Sequence, residues 1–105
     1  HGPHVLRAIE VYNERFIAYS LGNFCTYSRI NKSGPNGLAP VIKVNVDSTG
    51  RFLSGRIIPG NQSYTTQGVK IDPEKKAIFK IRNLTETDFP EAVIKISDNG
   101  DITYK

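Results

Sequence analysis

Residues 5–21, VLRAIEVYNERFIAYSL, contain two apolar-rich runs separated by the polar pair Asn13-Glu14. Two alternating runs with a two-residue polar break predict a β-hairpin, with strands over 5–12 and 15–21. Apolar side chains fall on both faces of the predicted strands, a pattern typical of strands that are covered on two sides. We therefore expect another layer of the protein to pack against this hairpin.

Two further hairpins are predicted downstream. Residues 39–47 and 51–58 alternate on either side of a Ser-Thr-Gly turn, and the C-terminal stretch AVIKISDNGDITYK, 92–105, alternates around Asn99-Gly100. An Asn-Gly pair supplies the left-handed backbone angles that a tight turn requires. The alternation therefore predicts two more pairs of antiparallel strands.

One helix is predicted near the C-terminus. Asp72-Pro73 has the chemistry of a helix start, because an Asp side chain accepts hydrogen bonds from free N–H groups and Pro lacks a donor that the first turn would leave unpaired. Apolar residues then recur at helical spacing, and Phe89-Pro90 ends the segment. The apolar stripe consists of Ala77, Ile78, Ile81 and Leu84.

The order of these elements predicts an α+β fold, made mainly of antiparallel β-hairpins with one helix near the C-terminus. The polar segments 26–38 and 59–68, which contain Gly and Ser, are predicted loops. A chain of 105 residues has the length of one domain. Because strands and helices do not alternate along the chain, a doubly wound parallel sheet is excluded.

Composition narrows the classes of function. The net charge of +4 is spread along the chain rather than concentrated on one basic face, so nucleic acid is not an expected partner. The sequence has no apolar run of about 18 residues, so we expect no membrane segment within it. Cys25 is the single cysteine, which excludes a disulfide within the chain and predicts a small buried apolar side chain.

His1 and His4 bracket a Gly-Pro turn, and imidazole is a common metal ligand. Such a turn is able to bring both rings onto one ion. Two ligands are nevertheless fewer than the three protein groups that a catalytic ion usually needs, and histidines beside Gly-Pro also resemble the remnant of a purification tag. The residues alone therefore leave three interpretations open: a metal site, a tag remnant or chance.

The stretch HGPHVLRAIEVYNERFIAYSLGNF, 1–24, resembles the closing motif of the CapA family, the poly-γ-glutamate capsule biosynthesis proteins. The resemblance rests on Pro3-His4-Val5 and on the runs IEVY and YSLGNF. The domain of that family is similar to the calcineurin-like metallophosphoesterases. The resemblance implies that the chain is the C-terminal portion of a larger αββα sandwich, with a family-like β core over 1–60 and a variable tail over 61–105 that holds the helix and the last hairpin.

The resemblance also implies a site. His4 stands where the family has a ligand of a dinuclear metal centre; His1 is the second candidate ligand, although Gly2 occupies the position where the family has a histidine directly before the proline. Either His1 takes over that duty or the site has lost a ligand. Asn23 is a candidate substrate-binding residue at the same sheet edge as His4, or it caps the turn after Gly22 with its own side chain.

The other ligands of the family lie N-terminal to this motif, so the resemblance implies no catalytic residue within these 105 residues. Divalent metal ions are expected in the full-length parent, and none for the chain alone. The implied function is capsule polymer biosynthesis or export at the bacterial cell envelope, with a metal-dependent hydrolase site in the parent. The alternative is a non-catalytic, β-rich binding or structural module that has lost the metal chemistry. The expected partners are the preceding part of the same protein and, through uncovered apolar faces, a second copy of the chain.

Overall fold

A computed structural model describes residues 1–25, 31–63 and 68–105 of the chain. Its strands are β1 (Ile9–Tyr12), β2 (Arg15–Ala18), β3 (Val41–Val46), β4 (Phe52–Ile58), β5 (Gly60–Asn61), β6 (Lys70–Ile71), β7 (Ile94–Ile96) and β8 (Asp101–Tyr104); one α-helix, α1 (Lys76–Asp88), and one 3₁₀ turn (Gly34–Gly37) complete the elements of the described ranges. The strand pairs are antiparallel and the helix lies near the C-terminus, so the predicted α+β class is confirmed.

The first hairpin pairs β1 with β2 in the predicted place, from Ile9 opposite Ala18 to Tyr12 opposite Arg15. The connecting residues Asn13 and Glu14 have φ values of 48° and 65°. Positive φ at both central residues defines the type I′ turn, whose twist matches that of the flanking strands. The assigned strands are shorter than predicted, but pairing continues beyond them through an isolated bridge between Leu6 and Leu21.

The second and third hairpins share one four-stranded sheet, in the order β3-β4-β8-β7. Strands β4 and β8 pair at Gly55 with Ile102 and at Arg56 with Asp101. Both hairpin predictions are confirmed, and this pairing adds the long-range contact that joins them. The sheet therefore includes residues from either side of position 60.

The turns of these two hairpins are closed by the same type of backbone hydrogen bond. Gly50 and Gly100 each donate their N–H to the carbonyl three residues earlier, at 3.0 Å, and have φ values of 86° and 91°. This is a type I turn followed by a glycine in the left-handed region. The prediction that Asn99 also adopts a left-handed angle is wrong, since Gly100 alone supplies it. A side chain on Gly100 would collide with the carbonyl oxygen of Ile57.

Helix α1 and the first hairpin cover one face of the sheet. Ala77, Ile78 and Ile81 of the predicted stripe are buried, and Leu84 is half-buried. The three buried residues belong to a core that also contains Ile9, Val11, Phe52, Ile57, Ile94, Ile96 and Ile102. The layer expected over the first hairpin is thus provided, on one side, by α1 of the same chain. The other face of the sheet is largely polar, as expected for an antiparallel sheet with one solvated side.

The start of the helix differs from the prediction. Helix α1 begins at Lys76 rather than at Asp72-Pro73, because Lys75 has a left-handed φ of 57° that interrupts the helical path. Asp72 does accept backbone donors, from Glu74 N–H at 3.0 Å and from Lys76 N–H at 3.2 Å. Its carboxylate therefore stabilises a turn that precedes the helix. The helix ends at Asp88, immediately before Phe89-Pro90 as predicted.

Two smaller predictions are corrected. Gly60–Asn61, expected in a loop, forms β5 and pairs with β6. Gly60 also lies so close to the carbonyl oxygen of Ala39 that only a residue without a side chain fits there. Cys25 is exposed rather than buried, since it lies in a bend with a φ of 49° after the buried Asn23. The predicted loop residues 26–30 and 64–67 lie outside the described part of the chain.

A buried hydrogen bond ties the first hairpin to the helix: Ile9 N–H donates to Thr85 Oγ1 at 3.1 Å. Replacing Thr85 by Val keeps the shape of the side chain and leaves the buried N–H without an acceptor, which costs about 1–3 kcal/mol. We therefore expect Thr85→Val to lower the unfolding free energy by that amount in urea titrations. Thr87→Val, the same change on the exposed side of the helix, is the control. An equal effect of the two variants would contradict the role of this hydrogen bond.

Candidate functional site

His1 and His4 lie on one tight turn at the start of the first hairpin. The N–H of His4 donates to the carbonyl oxygen of His1 at 3.1 Å, which closes the turn. His4 has a φ of 60°, a left-handed angle that is unusual for a residue other than glycine. Both imidazoles are exposed. The structure therefore brings the two candidate ligands onto the same local element, beside the Leu6–Leu21 bridge.

The ring of His4 is oriented by Asn23. His4 Nδ1 lies 2.7 Å from Asn23 Oδ1. The side-chain amide of Asn23 donates through Nδ2 to the carbonyl oxygen of Asn31 at 3.2 Å, which fixes Oδ1 as the atom that faces the imidazole. Because Oδ1 only accepts, the proton of the neutral His4 ring is on Nδ1, and Nε2 then keeps its lone pair. Nε2 is therefore the ring atom that is available to a metal ion.

The ring of His1 has the opposite arrangement. His1 Nδ1 accepts a hydrogen bond from the backbone N–H of Leu21 at 3.2 Å. The proton of the neutral ring must then be on Nε2, so the available lone pair is already used within the protein. A metal ion would have to displace Leu21 N–H or change the tautomer of His1. The two histidines are therefore not equivalent as ligands.

Asn23 is held in place by residues far along the chain. Its side chain is buried, and its backbone carbonyl oxygen accepts a hydrogen bond from Gln62 Nε2 at 3.1 Å. Asn36 Nδ2 donates to the carbonyl oxygen of His4 at 3.2 Å. A metal-binding histidine usually has its second nitrogen fixed in this manner, by an acceptor that is itself hydrogen-bonded. The geometry places Asn23 against the candidate ligand His4.

Sequence reasoning identified His1, His4 and Asn23, but it missed Asn31, Asn36 and Gln62. Asn36 is 32 positions from His4, and Gln62 is 39 positions from Asn23. The polar composition of the predicted loops was the sole signal available, and composition does not specify which amide reaches which partner.

Among residues 1–25, 31–63 and 68–105, no three His, Cys, Asp or Glu side chains come together as a metal-binding group. Within those ranges, no third side chain of these types joins His1 and His4 in such a group. A catalytic zinc ion usually has three protein ligands and an open position.

Comparison with known proteins gives one match. Residues 1–28 match the family model described as bacterial capsule synthesis protein PGA_cap. The matched segment contains His1, His4 and Asn23, and it ends before Asn31 and Asn36. No curated protein matches the chain, and no solved structure does. The N-terminal 28 of 105 residues are therefore similar to capsule synthesis proteins. The expected extent of family-like sequence, to residue 60, stays a prediction. Within the described residues, no helix is long and apolar enough to cross a membrane.

The hydrogen bonds of the two rings predict different tautomers. Nitrogen NMR of the neutral imidazoles should place the proton on Nδ1 in His4 and on Nε2 in His1. Asn23→Ala removes the acceptor and should abolish the preference for Nδ1–H in His4. Asn45→Ala, which removes an exposed amide that donates to Ser54 Oγ, is the control. Retention of the Nδ1–H form in Asn23→Ala would contradict the orienting role of Asn23.

Proposed function

We propose that the chain is the C-terminal part of a CapA-type protein that acts in poly-γ-glutamate capsule biosynthesis or export at the bacterial cell envelope. The observation that supports this function is the match of residues 1–28 to capsule synthesis proteins, a segment that contains both histidines and Asn23. The resemblance of the same segment to the metallophosphoesterase-like domain of that family supports a metal-dependent hydrolase site in the full-length parent.

In this proposal His4 is a metal ligand through Nε2. Asn23 acts through the opposite ring nitrogen: it keeps Nδ1 protonated and the ring in one orientation. We assign Asn23 this orienting role rather than direct substrate binding, because its Oδ1 and Nδ2 atoms both form hydrogen bonds within the protein. A divalent ion at such a site supplies an activated water or polarises a phosphoryl oxygen. The chain itself contributes no catalytic residue.

The non-catalytic alternative is favoured by a specific observation. His1 Nδ1 is occupied by Leu21 N–H, and Gly2 stands where the family has a histidine. A site that keeps His4 alone would bind metal weakly and would leave a β-rich module with a binding or structural role. The two functions differ in how many divalent ions the full-length gene product binds, and how tightly.

Calorimetric titration of the full-length gene product with Mn²⁺ or Zn²⁺ separates them. The metal-site proposal expects tight binding that His4→Gln abolishes and that Asn23→Ala weakens by about 10–100-fold, the range for residues that orient a ligand. His1→Gln shows whether the second imidazole contributes, and Asn45→Ala is the control. Weak binding that is unchanged in His4→Gln would overturn the metal site and leave the non-catalytic module.

An exposed apolar surface at the end of α1 supports the proposal of a protein partner. Tyr19, stacked on Phe89 at 5.7 Å between ring centroids, is 47% exposed, and Val93 is 51% exposed. Phe89 lines two neighbouring cavities, one with Tyr19 and the other with Val93. We propose that the preceding part of the same protein covers this surface, and that a second copy covers it when the chain is alone.

Light scattering of the 105-residue chain across a concentration series tests the second case. The mass should rise with concentration, and Val93→Ser should reduce the rise by removing an apolar contact. Leu53→Ser, which changes an equally exposed apolar side chain on β4 (51%), is the control. A monomer at every concentration would refute self-association through this surface.

A further inference from the structure

Two positive charges lie directly opposite each other on the polar face of the sheet. Lys43 on β3 is paired in register with Arg56 on β4, and both side chains are exposed. Like charges at directly opposed positions destabilise an antiparallel pair. Arg56 Nε reaches Asp101 Oδ1 at 4.0 Å only, and Lys43 forms no ion pair with any of the described residues. The fold thus retains an unfavourable pair where many polar side chains would fit.

This pair borders a cavity of about 410 Å³ between the ends of β3 and β4, β6 and the start of α1. Its size falls within the range of small-molecule sites. Lys75 provides a third cation on the cavity wall, and Ile58 and Ile71 provide apolar surface. The cavity shares no residue with the histidine site, so it does not depend on the proposed metal function.

Lys75 is held in a second unfavourable arrangement. Its φ of 57° lies in the left-handed region, which a lysine rarely adopts. Its Nζ donates to Asn99 Oδ1 at 3.0 Å, and Asn99 also lines the cavity. Residues kept in sparsely populated backbone regions are concentrated at binding sites. A strained backbone and a like-charge pair therefore meet at one cavity, although they arise on different elements.

The charges on the cavity wall do not cancel. The wall carries three cations and one carboxylate, that of Asp72, which is buried and accepts N–H groups from Glu74 and Lys76. The cavity therefore has an excess of positive charge beside apolar surface. A phosphoryl group carries two negative charges on three terminal oxygens, so three separate cations suit it. A carboxylate is planar and singly charged, and one guanidinium is enough to bind it.

We propose that this cavity binds a phosphomonoester, with the phosphoryl group between Lys43, Arg56 and Lys75 and the apolar part of the ligand against Ile58 and Ile71. The ligand would neutralise the like-charge pair, which explains why the sheet retains it. Because the phosphoryl group carries the electrostatic part of the interaction, affinity should fall as ionic strength rises.

Titration of the 105-residue chain with phenyl phosphate, inorganic phosphate and benzoate tests the ligand class by NMR chemical-shift changes. Phenyl phosphate should bind saturably and more tightly than inorganic phosphate, which lacks an apolar part, and than benzoate, which lacks the second charge. Lys43→Gln and Arg56→Gln should each weaken the binding of phenyl phosphate about tenfold, the loss of one charge-assisted hydrogen bond. Lys95→Gln on β7, which removes a positive charge from outside the cavity, should not.

Thermal unfolding of variants tests whether Lys43 and Lys75 serve ligand binding rather than the stability of the fold. Lys75→Gly removes the ammonium group and should weaken the binding of phenyl phosphate, while the chain stays folded because glycine adopts the left-handed angle without steric cost. Lys43→Thr removes the like-charge pair and should leave the chain at least as stable. The proposal is overturned if the folded chain shows no saturable binding, if benzoate binds as tightly as phenyl phosphate, or if Lys95→Gln is as damaging as Arg56→Gln.

Discussion

Phe52, in the second hairpin, contacts both of the other hairpins. It is fully buried at the start of β4, and its ring contacts Phe16 of the first hairpin at 5.9 Å and Tyr104 of the third at 5.5 Å between centroids. Its backbone makes the same two connections: Phe52 N–H donates to Glu14 O at 2.8 Å, and Tyr104 Oη donates to Phe52 O at 3.1 Å. The hydrogen bonds fix the directions of the hairpins, while the rings supply apolar burial at the same two junctions.

The position of the histidine turn follows from this arrangement. The first hairpin is fixed at its turn by Phe52 and at the start of β1 by Thr85, and the Leu6–Leu21 bridge extends its pairing toward His4. The core thus determines where the turn lies, but it does not determine how the imidazole of His4 is rotated. That rotation depends on Asn23, whose side-chain amide donates to Asn31 O and whose backbone carbonyl accepts from Gln62. Position and orientation of the candidate ligand have separate physical origins.

This separation explains what the sequence was able to predict. Hairpins, the apolar stripe and the end of α1 follow from periodicity and turn chemistry, which act over a few residues, and they were located correctly. The pairing of β4 with β8 and the hydrogen bond from Gln62 to Asn23 join distant parts of the chain, for which a single sequence carries no local signal. The helix start was misplaced at Asp72 because the capping chemistry is present, whereas the left-handed angle of Lys75 has no signature in a lysine.

Among the described residues, four of the five non-glycine positions with positive φ, all except Cys25, fall into two kinds. Asn13 and Glu14 have the angles that a type I′ turn demands, so the hairpin accounts for them. His4 and Lys75 instead stand fourth in hydrogen-bonded turns, the position that Gly50 and Gly100 have in the other two hairpins, and each is restrained at three points. The N–H of His4 is bound by His1 O, its carbonyl by Asn36 and its ring by Asn23.

Lys75 has the same three restraints: its N–H donates to Asp72 O, its carbonyl accepts from Ile78 N–H, and its Nζ donates to Asn99. Strain of this kind persists only where the surroundings over-determine the conformation. In both residues one of the three restraints acts on the polar end of the side chain rather than on the backbone. The strain is therefore coupled to the placement of an imidazole and of an ammonium group, and this coupling distinguishes the two positions from the turn residues of the first hairpin.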